Sequence, residues 1–146
     1  MTFALDLQKF AAKAGVKANA VVAETVAEIV AKVDLRSPVG DPTKWKNPPP
    51  KGYVGGRFRG NWQLGVGVVP QGVLNRIDPG GHGTVTAAVA EIPRDAAGRT
   101  YFYVNNLKYA RRLEEGYSGQ APAGIVGLTV VEFQGIVDRK VAELPA

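Results

Sequence analysis

The sequence predicts an α+β domain in which an antiparallel β-sheet packs against N-terminal and C-terminal helices, with a long extended loop between the N-terminal helices and the sheet. Three observations predict it. Apolar residues recur at helical spacing near both ends of the chain, they alternate at a period of two in the middle, and residues 35–60 hold so much proline and glycine that neither helix nor strand can run through them. A chain of 146 residues, 45% hydrophobic and 21% charged, has the balance of one soluble globular domain, with a core that folds without metal or disulfide staples. No repeat or composition shift divides it, so residues 1–146 are read as a single domain.

Residues 5–14 suit a short amphipathic helix, with Leu7 and Phe10 on one side and Gly15 as a C-terminal cap. A second helix is expected over 17–34, where Val22, Val26, Ile29, Val30 and Val33 share a face and Glu24, Glu28 and Lys32 take the other. Asn19 is placed to cap its start, and Pro38 stops it soon after Arg36. Beyond the loop, Trp62, Leu64, Val66 and Val68 alternate with Gln63, Gly65 and Gly67 as a strand does. A turn-rich tract at 78–83 leads into a second extended run over 84–92. After a reversal at 93–98, Tyr101, Phe102 and Tyr103 mark a third strand over 99–104, completing an antiparallel meander. A short helix over 107–115 ends at Gly116, a loop covers 117–124, and a last helix runs over 125–143, with Val126, Val130, Phe133, Val137 and Val141 on one face and Pro145 closing the chain. Gly127 and Gly135 in that helix suit a close crossing or mark its start or a bend.

The absence of cysteine excludes thiol nucleophiles, disulfides and thiolate metal sites. The N-terminal residues lack the pattern of a signal peptide, and no apolar run approaches the roughly 20 residues that span a bilayer. The expectation is a protein made and assembled in the cytoplasm, without a membrane partner. Its net charge of +5 is unevenly placed: residues 42–77 carry Lys44, Lys46, Lys51, Arg57, Arg59 and Arg76 and no acidic residue. A cationic, proline-stiffened connection of this length is either disordered or a binding element. Trp45 and Tyr53 lie among its lysines, an arrangement suited to packing on protein, or to base stacking in single-strand binding. Arg57 and Arg59 flank Phe58 and would share one side of an extended segment. They suit a clamp for phosphate or for a neighbour's carboxylate, solvated surface charge, or an internal pair with Glu114.

Three short motifs follow one another along the chain: Ser37-Pro38-Val39, then Gly56-Arg57-Phe58-Arg59 leading into a strand, then Tyr109-Ala110-Arg111-Arg112-Leu113-Glu114-Glu115-Gly116 before a proline-containing loop and the last helix. In order and setting they resemble the tail-completion or neck (head–tail joining, minor tail) protein family of long-tailed bacteriophages. Relative to that pattern, residues 40–55 are inserted between the first motif and the second. The resemblance implies a structural virion protein that completes the tail and joins it to the head connector as a ring of identical subunits, a hexamer. The implied partners are further copies of itself, the tail tube protein and the head–tail connector proteins. Trp45, Lys46, Tyr53, Arg57, Phe58, Arg59 and Glu114 are the expected interface, and Lys44, Lys46 and Lys51 are the residues placed to face genomic DNA through sequence-independent phosphate contacts.

The alternative is a free-standing nucleic-acid-binding module using the basic loop 42–60, although no helix-turn-helix, zinc or RNA-recognition motif accompanies it. An enzyme is not expected. His82, the one histidine, sits among glycines in a turn, Asp78, Asp95, Glu114 and Glu115 make no acid–base pair, and no nucleophile elbow, phosphate loop or spaced metal-ligand set is present. No cofactor is called for.

Overall fold

A computed structural model describes residues 17–143. The helix expected over 5–14 and the closing Pro145 lie outside the described residues. The fold is α+β. Helix α1 spans Ala18–Arg36, strand β1 Trp62–Val66, helix α2 His82–Ala90, strand β2 Tyr101–Asn105, the short helix α3 Ala110–Glu114 and helix α4 Val126–Ala142.

The valine stripe of α1 does what its spacing predicts, burying Val21, Val22, Val26, Val30 and Val33. Asn19 does not cap the helix. It lies inside the first turn, and its side-chain oxygen accepts a hydrogen bond from the Ala97 N–H at 3.0 Å. α4 runs antiparallel along α1, fixed by Glu132 against Lys32 and Arg36 and by Arg139 against Glu28. Of the face its apolar residues suggest, Phe133, Val137 and Val141 meet the core, joined by the buried Thr129 and Ile136, whereas Val126 is exposed and Val130 is 65% exposed.

β1 and β2 pair antiparallel, with Trp62 opposite Asn105 and Val66 opposite Tyr101. Among the described residues the sheet has two strands rather than the three of the expected meander, because residues 84–92 are largely helical. Thr84, Val85, Thr86 and Val89 favour extended backbone by propensity, but Asp78 overrides them at the entrance to α2. Its carboxylate accepts from the Thr84 N–H and hydroxyl, each at 2.7 Å, and from the Gly81 N–H at 3.1 Å. Burial raises the Asp78 pKa, and these bonds outweigh it, leaving the group below the usual carboxylate range. Three alanines in α2 then allow a close approach to α1, with Ala88 buried against Val22 and Val26.

The core has two parts. Val22, Val26, Val30, Leu64, Ala88, Ala96 and Val137 form one beneath the middle of α1. Val33, Phe58, Trp62, Leu107, Ala121 and Ile125 form the other at the C-terminal end of α1, and this second cluster carries the long loop.

Candidate interaction arm

Residues 40–55 leave the body and return to it as a folded arm. Where its two limbs cross at the stem there is no room for a side chain: a methyl group on Gly40 would collide with the Tyr53 hydroxyl, and one on Gly55 with the Gly40 carbonyl. The outgoing limb turns at Pro42–Lys44, a 3-10 turn capped by Asp41, whose carboxylate accepts from the Thr43 N–H at 3.1 Å and the Thr43 hydroxyl at 2.6 Å. Trp45 and Tyr53 face each other across the limbs with ring centroids 4.8 Å apart, so the two aromatic residues first close the arm on itself. Trp45 keeps 43% of its surface exposed. Lys44, Lys46, Lys51 and Arg57 are exposed around it, and among the described residues only Lys44 has a carboxylate within ion-pair distance, Asp41 at 3.7 Å.

The base is built differently. Ser37 Oγ donates to the Val33 carbonyl at 2.8 Å and accepts from Trp62 Nε1 at 2.7 Å. Arg59 reaches three carbonyls: Nη2 donates to Ser37 at 2.7 Å and Leu35 at 3.2 Å, and Nη1 donates to Pro79 at 2.7 Å. Phe58 is 6% exposed, edge-on to Trp62 at 5.9 Å and 6.1 Å from Tyr109, and its carbonyl accepts from Asn105 at 2.9 Å. Gly56 holds φ at +113°, a backbone conformation glycine adopts without strain, and a side chain there would run into Pro79. Gln120 clamps Val39 from the far side, accepting from its N–H at 3.1 Å and donating to its carbonyl at 2.7 Å.

Glu114 completes the base. Its carboxylate accepts from the N–H groups of Ile125, Val126 and Gly127 at 3.0, 2.8 and 2.9 Å, satisfying the open amides at the start of α4 and placing negative charge at the positive end of that helix.

These contacts correct several expectations. Arg57 and Arg59 do not share a side, because the chain turns helically at Phe58, with φ −62° and ψ −53°, sending Arg57 outward and Arg59 inward. Neither pairs with Glu114. Phe58 is buried, and Arg59 and Glu114 are half-buried with their polar groups engaged within the subunit, while Trp45, Lys44, Lys46, Lys51 and Arg57 are exposed and Tyr53 is half-buried. Sequence reading missed Gln120, Asn61 and Arg76. Asn61 bonds the Leu74 backbone in both directions, at 2.8 and 3.2 Å, and Arg76 donates to the carbonyls of Gly60 and Trp62 at 2.9 and 3.0 Å. An arginine set between Leu74-Asn75 and Ile77 was the available signal for Arg76.

Buried polar groups gather at this base. Asp34, 1% exposed, has its pKa pushed up to about 7 by burial, against the opposing pull of the Arg59 guanidinium. Burial and the nearby Asp34 raise the Tyr103 hydroxyl as well. Asp34 Oδ1, Arg59 Nε and Tyr103 Oη are each enclosed without a hydrogen-bond partner among the described residues.

Compared with protein-family models, with curated protein sequences and with solved structures, the chain matches none of them.

Proposed function

We propose that the chain is a structural protein of a tailed phage or phage-like particle, forming an oligomeric ring, a hexamer, that completes the tail and joins it to the head connector. One observation carries this reading. The three segments that resemble the tail-completion family, around Ser37, Phe58 and Glu114, meet in the single base from which residues 40–55 project. A base so joined sets the direction of the arm and leaves Trp45, Lys44, Lys46, Lys51 and Arg57 turned toward whatever lies outside the subunit. The mechanism is geometric. Contact of the arm with a different surface on the next copy propagates around a ring and closes it, and the tail tube protein and the connector occupy the ring's two faces. In this reading the protein catalyses nothing and binds no cofactor, and it works within the virion after assembly in the host cytoplasm.

Replacing residues 41–54 with two glycines tests the proposal, since the stem limbs already touch. The expected product is a folded monomer by circular dichroism that no longer assembles as concentration rises and no longer joins tails to heads. Rings of normal stoichiometry from that variant would contradict it. The exposed Lys46, Lys51 and Arg57, without acidic partners among the described residues, favour the second reading, a nucleic-acid-binding module. That reading predicts tight duplex binding by the monomer, with a log–log salt slope of about −3 to −4 for four phosphate contacts, and assembly unaffected by the deletion.

A further inference from the structure

The two edges of the sheet are finished differently. The Gly67 N–H donates to the Thr100 carbonyl at 2.8 Å, and with the observed register this makes Gln63 with Val104 and Gly65 with Phe102 the hydrogen-bonded pairs. The main-chain groups of Trp62, Leu64 and Val66 therefore face the outer edge of β1, and those of Tyr101, Tyr103 and Asn105 face the outer edge of β2. The β1 edge is occupied only at its start: Arg76 takes the Trp62 carbonyl, and Asn61 and Gln63 hold Leu74 and Gly72 close by, while the outward groups of Leu64 and Val66 have no described partner. On β2, no described residue bonds the outward N–H or C=O groups of Tyr101, Tyr103 or Asn105. The strand also carries no proline and no charge, the devices by which an edge is kept from pairing.

Two cavities open on the core-facing side of β2. One, of about 200 Å³, lies between Phe58, Trp62, Asn105 and Ile125. The other, of about 180 Å³, lies between Val26, Ile29, Leu64 and Tyr101. Tyr103 is the wall common to both. Side chains at positions i and i+2 of an added strand point to one face, roughly 7 Å apart, which suits one on each side of Tyr103. Of the two charged residues lining the first cavity, Glu114 is engaged by the α4 amides and Arg111 is held only by an exposed ion pair to Glu115, with Lys108 exposed three residues before it in the chain. The rim at the Asn105 end is basic.

We infer that the free edge of β2 is a docking site for a single extended segment of a partner protein, with aliphatic side chains at i and i+2 filling the cavities on either side of Tyr103 and an acidic residue beyond Asn105 meeting Arg111. The main-chain groups supply the pairing, the cavities read the alternate side chains, and the basic rim selects charge. A second copy presenting its own β2 fits less well. α1 packs between α2 and α4, and α2 packs on β1, so α4 falls on the β2 side and a second copy would bring its α4 onto the same face. The inference stands apart from the arm and from the particle proposed above.

The test uses the full chain and a library of capped peptides of about seven residues with aliphatic or polar residues at the third and fifth positions and acidic or basic ends. Binders should be aliphatic at both positions and acidic at one end, and should slow hydrogen exchange at the Tyr101, Tyr103 and Asn105 amides. Methylating the peptide nitrogens that face β2 should weaken them about tenfold or more. Arg111→Glu, an exposed change, should reverse the preference from acidic to basic ends. Absence of any binder, binders without the alternation, or protection confined to other segments would overturn the inference. So would a peptide-free dimer protected at these same amides, which would assign the edge to a second copy.

Discussion

Arg57 and Arg59 stand two residues apart in the same motif and have opposite uses. Arg59 is turned inward onto three carbonyls and ties the end of α1 to the chain entering β1, while Arg57 is turned outward with no described carboxylate near it. The same division separates the base of the arm from its tip. At the base, serine, arginine, phenylalanine and glutamate are matched to partners within the subunit. At the tip, a tryptophan and three lysines are held in shape by a short turn and a ring contact, and of the lysines only Lys44 meets a described carboxylate, Asp41. The contrast teaches that a motif and the surface it serves need not be the same residues: the motif fixes a direction, and neighbouring, less patterned positions use it.

That contrast can be broken at the base or at the tip. Phe58→Ala removes the aromatic plug between Trp62 and Tyr109 and should cost about 3–4 kcal/mol in urea denaturation, whereas Trp45→Ala should change stability by less than about 1 kcal/mol and act on assembly. Equal losses at the two sites would erase the distinction between base and tip.

The pH profile sharpens it next. Asp34 has a folded pKa of about 7, above its ordinary value of 3.8. Between those values the folded state binds the extra proton, so the contribution of Asp34 to stability is fully present at and below about pH 4, is lost as pH rises toward 7, and levels off above, opposite in sign to that of Asp78 and Glu132, whose pKa values are lowered. The fall should be no more than about 4 kcal/mol, and Asp34→Asn should remove it. A stability difference between the parent chain and Asp34→Asn that stays flat or rises over this window would show Asp34 ionised and paired. The smallest expected effect is at the paired arginines: Arg59→Ala should destabilise by about 2 kcal/mol through its orphaned carbonyls and Arg57→Ala by less than about 0.5 kcal/mol, as read in thermal melts.

Much of this molecule was legible in its residues. The valine spacing in α1, the alternation through Trp62, Leu64 and Val66, and the aromatic run of β2 each produced the element they suggest. α2 was misread because its cap, Asp78, bonds Thr84 from six residues away across Pro79 and Gly81, so the local pattern contained β-branched residues without their overriding partner. The face of α4 was legible at Phe133, Val137 and Val141 but not at Val126 and Val130, because Glu132 and Arg139 also set how the helix lies on α1. In the arm, a period of two between Arg57 and Arg59 assumed extended backbone, and a single helical turn at Phe58 undid it. Glu114 was visible as part of a motif, but the amides it caps belong to another helix and come into view only once the chain is folded.

The most direct measurement is hydroxyl-radical footprinting of the free subunit and of the assembled ring. The account predicts that Trp45 is reactive in the subunit and several-fold protected in the ring, while Phe58 and Trp62 are protected in both. Trp45 equally reactive in both states would contradict the claim that the arm's tip meets a partner.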